Sequence, residues 1–117
     1  MAYLTEQELN DSFGQIAIAQ LADRDGDNDA VKMSNAISTA ISFADAEVDA
    51  YLEGVYQLPI ASIPQLVSRI AADVAHYYLA SMIPTDNVKD RYNNAISLLT
   101  RLHDQEIHLN IPKVVVV

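Results

Sequence analysis

The sequence predicts an all-α fold: a small bundle of four to five helices with one long central helix, followed by an extended C-terminal tail. Apolar residues recur every three or four positions from residue 30 to about residue 54, which is the spacing of one helix face. The same spacing returns over residues 66–82 and 92–102. A run of four β-branched residues appears only at the end of the chain, where it favours an extended strand over a helix.

The start of the chain predicts one or two short helices. Thr5 and Glu8 have the spacing of a capping box, in which each side chain binds the other residue's backbone N–H. The first helix should therefore run from about residue 6 to Phe13, where Gly14 interrupts it. Residues 15–22 are apolar at most positions, and they fit either a continuation of this helix or a second short one.

The central helix is predicted from its caps and its apolar stripe. Residues 23–29 are rich in Asp, Asn and Gly, which favours a loop, and Asp29 can cap the helix that follows. Gly54 is predicted to end this helix as a left-handed cap. The residues predicted to form the buried stripe are Val31, Met33, Ile37, Ala40, Ile41, Ala44, Val48, Tyr51 and Leu52. The residues predicted to face water are Asp45, Glu47, Asp49 and Glu53.

Two prolines define a connector after the central helix. Residues 55–63 are predicted to link two helices, with the path of the chain fixed by Pro59 and Pro64. The next helix is expected to start at Ser62 or Ile63. Pro64 would then lie in its first turn, where a missing backbone N–H costs nothing.

The end of the chain is predicted to leave the helical domain. Pro84 should stop the helix before it, and Asp86 should cap a last helix that frays over residues 103–107. We assign residues 1–109 to one helical domain and residues 110–117 to an extended tail. That tail could be disordered, dock on the domain or pair with another chain, and we expect docking or use between subunits.

Composition limits the classes of protein to which the chain can belong. Its 117 residues predict one domain with a real hydrophobic core. The absence of cysteine excludes disulfides, thiolate zinc sites and cysteine nucleophiles. No apolar run is long enough to span a membrane, and the first residues lack the pattern of a signal peptide, so we expect synthesis in a cytoplasm.

The net charge of −9 is concentrated in the first half of the chain. Residues 1–54 hold eleven acids and two bases, whereas residues 55–117 hold five of each. Nucleic-acid binding normally requires a basic patch, so sequence-specific binding of DNA or RNA is not expected. An acidic surface repels DNA, which is useful where DNA must pass without adhering.

Neither catalysis nor a bound cofactor is predicted. Asp23, Asp25, Asp27 and Asp29 alternate like the ligands of a calcium loop, but a serine stands at the twelfth position, where such loops carry a bidentate glutamate. The four aspartates are therefore a weak metal candidate. No serine lies in a nucleophile-elbow sequence, and no glycine loop for phosphate is present, so we expect no enzyme activity and no cofactor.

Several short blocks occur in an order that resembles a known family. They are Tyr3-Leu4-Thr5-Glu6, Tyr51-Leu52, Tyr56-Gln57-Leu58-Pro59, Pro64 with Ile70-Ala71-Ala72-Asp73-Val74-Ala75, and Arg91-Tyr92-Asn93-Asn94-Ala95-Ile96 with Leu99. Together they resemble the small helical head–tail adaptor proteins of Mu-like phages and prophages, over residues 3–102. Val55 stands where that family often has arginine, and residues 112–117 have no counterpart in it.

The resemblance implies a structural role in the virion neck. It implies a ring of about twelve copies beneath the portal protein, with neck and tail completion proteins as further partners and DNA passing through the bore. It implies no membrane contact. The residues assigned to architecture and contacts are Tyr51, Leu52, Tyr56, Leu58, Pro59, Pro64, Arg91, Tyr92, Val114, Val115, Val116 and Val117.

Two other functions remain open from the sequence. An acidic helical module could dock a basic partner or mimic DNA, and its affinity would then depend strongly on salt. A domain that responds to calcium could be built on residues 23–29.

Overall fold

The computed structural model describes residues 2–80 and 84–114, and it confirms the all-α prediction. Five helices follow one another: α1 Glu6–Phe13, α2 Gln15–Ala22, α3 Ala30–Leu52, α4 Gln65–Ala80 and α5 Asp86–His103. The long α3 packs against α4 and α5, and α1 and α2 lie across α3 and α4. The body measures 55 × 27 × 19 Å. None of the described helices combines the length and the apolar character needed to cross a membrane.

The capping box confirms the start of α1, and Gly14 separates α1 from α2. Thr5 accepts a hydrogen bond from the backbone N–H of Glu8 at 3.1 Å, and the Thr5 N–H donates to the Glu8 carboxylate at 3.0 Å. Gly14 has a φ of 90°, a conformation that L side chains rarely adopt and that breaks the helix. Of the two interpretations of residues 15–22, the structure therefore shows the second short helix.

The two ends of α3 differ from each other in how well the sequence predicted them. The Asp29 cap is confirmed, since its carboxylate accepts from the N–H groups of Val31 at 2.9 Å and Lys32 at 3.2 Å. The left-handed Gly54 cap is wrong: α3 ends at Leu52. The Leu52 carbonyl accepts from the next turn of the chain, at residues 55 and 56, so no left-handed residue is required.

The α4 helix starts two or three residues later than predicted, at Gln65, and the cap of α5 lies one residue earlier than predicted. Pro64 immediately precedes α4 instead of lying in its first turn, and its carbonyl accepts from Val67 at 3.0 Å. Thr85, not Asp86, caps α5, because its hydroxyl accepts from the N–H of Val88 at 3.3 Å. Pro84 lies between α4 and α5, and residues 81–83 lie outside the described residues.

The predicted stripe of α3 faces the core, with one exception, and Met33, Ile41 and Tyr51 are partly buried against it. Ile37, Ala40, Ala44, Val48 and Leu52 are all buried. Val31 was predicted to join them but is 70% exposed. Each helical residue turns by about 100°, so a residue two positions before Met33 points to nearly the opposite side. The prediction for Val31 was therefore wrong.

Candidate functional site: the two ends of the long helix

After α3, the connector is joined to the C-terminal tail of the same chain. The backbone N–H of Gln57 donates to the Pro112 carbonyl at 3.0 Å, and the N–H of Val114 donates to the Val55 carbonyl at 2.9 Å. These bonds surround an isolated antiparallel bridge between residues 56 and 113. We call residues 55–57 and 112–114 the connector–tail junction. The tail therefore docks on its own domain as far as it is described.

Tyr56 is the anchor of the connector–tail junction. It is fully buried, and its hydroxyl accepts a hydrogen bond from the backbone N–H of Leu109 at 3.0 Å. A buried tyrosine hydroxyl needs such a partner, and this bond fixes the point where the chain turns back from α5. Tyr56 was predicted to be an architectural residue, and its partner 53 positions away could not be foreseen from the sequence.

The other residues predicted around the connector have different degrees of exposure. Leu52 is fully buried, and Tyr51 and Leu58 are partly buried against the core. Pro59 is exposed and follows a cis peptide bond, whereas Pro64 is partly buried. Val114 is 40% exposed, and Val115, Val116 and Val117 lie outside the described residues. The buried members of this set therefore pack within the domain, and Pro59 and Val114 face solvent.

Glu47, predicted to face water, instead joins three helices. Its two carboxylate oxygens accept from the hydroxyl of Tyr78 at 2.7 Å and from that of Tyr92 at 2.8 Å. The ring of Tyr77 stacks on Tyr92 with 4.0 Å between centroids. Burial and the bond to Glu47 raise the pKa of Tyr92, and the same bond and burial raise that of Tyr78. We call Glu47, Tyr78 and Tyr92 the tyrosine clamp.

Two more acids of α3 hold the N-terminal segment. The backbone N–H of Tyr3 donates to Asp45 at 3.0 Å, and its hydroxyl donates to Asp49. The Ser68 hydroxyl donates to the Tyr3 carbonyl at 3.1 Å. Burial, and then the bond to Asp49, raises the pKa of Tyr3. The prediction that Asp45, Glu47 and Asp49 form a wet face was therefore wrong, because tyrosines remote in sequence use all three as acceptors.

Arg91 lies over an aromatic pair beside α4. Its guanidinium is 5.5 Å from the Phe13 ring centroid and 3.9 Å from an Asp73 oxygen. Phe13 stacks on His76 at 3.9 Å, and the His76 Nδ1 atom is buried without a partner among the described residues. Burial, reinforced by Arg91, lowers the pKa of His76. Arg91 was predicted as a contact residue; its side chain is 50% exposed and is engaged within the domain by Asp73 and the Phe13 ring.

The acidic loop before α3 already holds a cation from its own chain. The Lys32 ammonium lies 2.8 Å from Asp27 and 3.4 Å from Asp25. Asp23 accepts from the backbone N–H of Asn28, and Asp29 caps α3. Within residues 2–80 and 84–114, no three or more histidine or carboxylate side chains are arranged to hold a metal ion. The calcium hypothesis gains no support from this geometry.

A groove lies at the start of α3, between α1, α2 and α3. It has a volume of about 300 Å³, and Ile18, Met33 and Ile37 contribute its apolar lining. Ile16 and Val31 do not line it: each stands two positions before a lining residue, Ile18 or Met33, and therefore points to nearly the opposite side of its helix. They are 76% and 70% exposed. We call this the open groove; it was not predicted, because its lining residues come from three helices that only the fold brings together.

Comparison with known proteins identifies the family. The family described as "Bacteriophage Mu, Gp36" matches residues 3–115. The chain belongs to this family. It is 28% identical over 75 residues to "Mu-like prophage FluMu protein gp36" of Haemophilus influenzae, covering 64% of this chain and 53% of that protein. It is 31% identical over 65 residues to "Gene product J" of Escherichia phage Mu, covering 56% and 46%.

These matches confirm a resemblance to Mu-like phage proteins, and the chain is a phage protein of that group. Each match spans about half the length of the relative. The family match covers the connector, the tyrosine clamp and the tail as far as residue 115. The features described above therefore all lie within the part of the chain that defines the family.

Proposed function

We propose that this protein is a structural virion protein, a head–tail adaptor that forms a ring beneath the portal and joins the capsid to the neck and tail. The family match over residues 3–115 carries this proposal. The role is mechanical and not enzymatic. Its partners are the portal protein, the neck and tail completion proteins and further copies of the same chain, in a ring of about twelve.

The hydrogen bonds between the helices of the chain suit a subunit that transmits force between head and tail. Tyr3 and the tyrosine clamp tie α3 to the N-terminal segment, to α4 and to α5 through side-chain hydrogen bonds. Hydrogen bonds to charged acceptors are stronger than neutral ones, and they fix the relative positions of the elements that they join. A ring subunit with this framework can carry force between head and tail without local rearrangement.

The negative charge of each copy fits the passage of DNA, although little of the exposed negative charge comes from α3. Three of the four acids predicted on its wet face are acceptors for tyrosine or for backbone. Within the acidic first half, the exposed carboxylates lie mainly in α1 and in residues 23–29, where Asp25 is 67% exposed, together with that of Glu53. If the bore is acidic, these segments line it, and they repel the DNA that passes.

A genetic experiment tests this function. Phage or prophage lacking the gene should accumulate filled heads and free tails that do not join, because the adaptor layer is missing. Expression of the wild-type chain from a plasmid should restore joined virions, whereas a frameshifted copy of the gene should not. Joined, infectious particles in the absence of the gene would rule the proposal out.

A further inference from the structure

A partly buried histidine lies at the contact between α1 and the second half of the chain. The His76 ring of α4 stacks on the ring of Phe13, the last residue of α1, with 3.9 Å between their centroids. On α5, the Arg91 guanidinium lies 5.5 Å from the centroid of the same Phe13 ring. An ionisable ring and a permanent positive charge therefore both lie against the end of α1.

The hydrogen bonding of His76 favours the neutral form of its ring. The Nδ1 atom is buried and has no partner among residues 2–80 and 84–114. In a neutral imidazole, one nitrogen carries the proton and the other is a bare acceptor. A second proton would make both nitrogens donors, so the buried Nδ1 would become an N–H group without an acceptor, and such a group costs the free energy of removing it from water. The new charge would also be repelled by Arg91.

The other ionisable groups around His76 do not supply the missing acceptor. Arg91 of α5 is positive, and α2 contains no ionisable side chain. The acids Glu8 and Asp11 of α1 line a different cleft. On α4, Asp73 lies 3.9 Å from Arg91 and makes no hydrogen bond to Nδ1 of His76. The acids of α3 that bind other elements accept from tyrosine hydroxyls or from backbone, and they are Asp45, Glu47 and Asp49.

We propose that His76 forms a pH-sensitive switch: its neutral ring holds α1 against α4, and its protonated ring releases α1. The released element is small, because α1 has eight residues, and isolated helices shorter than about 12 residues are marginal in water. Within α1, which is described throughout, only Leu9 is fully buried. A short helix with so little buried surface belongs to the part of a fold that opens most easily. The switch does not depend on the proposed ring function.

The sign of the effect distinguishes His76 from the neighbouring Asp73. Burial, and then Arg91, lowers the pKa of His76 from its ordinary value of 6.5. Its contribution to stability is therefore complete above about pH 6.5 and is lost as the pH falls below that value. Burial raises the pKa of Asp73, although Arg91 opposes this change. A carboxyl group with a raised pKa stabilises the folded chain as the pH falls, so Asp73 cannot cause a loss in mild acid.

The test measures how often α1 opens. Because the chain has no cysteine, Leu9→Cys in α1 and Leu99→Cys in α5 each introduce one thiol at a site that is 0% exposed. The rate of reaction with a pyridyl disulfide, divided by the rate for the same variant unfolded in urea at the same pH, gives the open fraction. Between about pH 7.5 and about pH 5.5, this fraction should rise by about threefold or more at Leu9→Cys and should not rise comparably at Leu99→Cys.

The matched control is His76→Phe, which keeps a ring to stack on Phe13 but removes the ionisable group. In this background, opening at Leu9→Cys should not change between the two pH values. Opening that is independent of pH in the chain with His76, or an equal increase at both cysteines, overturns the proposal. If Leu9→Cys does not fold, an NMR titration of the wild-type chain decides: a His76 pKa below 6.5 supports the switch, and a pKa at or above 6.5 overturns it.

Discussion

The two ends of α3 differ in how completely contacts within the chain cover the side chains around them. At the end of the helix, Tyr56 is fully buried, its hydroxyl is hydrogen-bonded, and the tail pairs with the connector. At the start, the large apolar side chains of Ile16 and Val31 are exposed to solvent. We call the end of α3 the closed end, because intramolecular contacts cover it, and its start the open end, because apolar side chains remain exposed there.

This difference distinguishes residues that stabilise the single folded chain from residues that remain exposed and can serve assembly. Residues at the closed end contribute to the free energy of unfolding of the single chain, since they bury area and satisfy polar groups. Residues at the open end contribute little to folding, because they remain exposed when the chain is folded. The two sets can therefore be changed independently, and each change reports on one role.

The largest expected effect is at Tyr56. Tyr56→Ala should lower the free energy of unfolding by about 3–5 kcal/mol, since it leaves a cavity and removes the anchor of the tail. Tyr56→Phe should lower it by about 1 kcal/mol, because only the bond to the Leu109 N–H is lost. Denaturant unfolding followed by circular dichroism measures both values.

The control for this experiment comes from the open end. Ile16→Ala should change the free energy of unfolding by no more than about 0.5 kcal/mol, because the side chain is 76% exposed. Equal losses at Tyr56 and Ile16 would mean that both ends serve folding, and the distinction between them would fail.

The second effect concerns the tyrosine clamp. Glu47→Ala removes the shared acceptor of two partly buried hydroxyls, and we expect a loss of about 1–2 kcal/mol. The matched control is Glu53→Ala, an exposed acid that immediately follows the same helix, which should have almost no effect. A double-mutant cycle with Tyr92→Phe should show coupling, and purely additive losses would argue against a shared clamp.

How much of the structure the sequence could predict depends on how far apart along the chain the interacting residues lie. The box of Thr5 and Glu8 and the cap at Asp29 involve neighbours within three positions, so local sequence was sufficient to find them. The partners of Glu47 are 31 and 45 positions away, and periodicity alone can only place an acid on the polar side of a helix.

The same limit applies at the two ends of α3. Leu52 was predicted to be buried, and Leu52 and Tyr56 were assigned to an architectural bend, whereas the pairing of the tail with residues 55–57 was one of three alternatives. Val31 was placed in the core because it is apolar, although its angle around the helix excludes it. Whether an apolar residue is covered depends on which helix lies above it, and that information is tertiary.

A smaller effect is expected at alkaline pH. Burial and the neighbouring carboxylates raise the pKa of Tyr3, Tyr78 and Tyr92 in the folded chain. The unfolded chain releases these protons first, near the ordinary tyrosine pKa of about 10. The free energy of unfolding should therefore be insensitive to these groups below about pH 10 and fall above it.

Replacing a tyrosine of the clamp tests which groups cause the decrease in the free energy of unfolding at alkaline pH. Tyr92→Phe should make the decrease above about pH 10 less steep, because one of the responsible hydroxyls is gone. Tyr51→Phe is the control, since Tyr51 lies outside the clamp, and it should keep the wild-type slope. A slope unaffected by Tyr92→Phe would show that this clamp does not cause the alkaline loss.

The smallest effect is expected at the acidic loop. Because Lys32 already occupies the space between Asp25 and Asp27, millimolar calcium should produce no binding heat in calorimetry of the wild-type chain. Lys32→Met should leave the unfolding midpoint unchanged, since the ion pairs are exposed. A measurable calcium heat in the wild type would revive the metal hypothesis for Asp23, Asp25, Asp27 and Asp29.

Native mass spectrometry of the protein mixed with the portal of the same phage tests most directly the proposal that this chain is a ring-forming adaptor. If the chain is such an adaptor, the portal should gain the mass of one added ring of about twelve copies. A wild-type chain that stays monomeric beside an unchanged portal mass would contradict it.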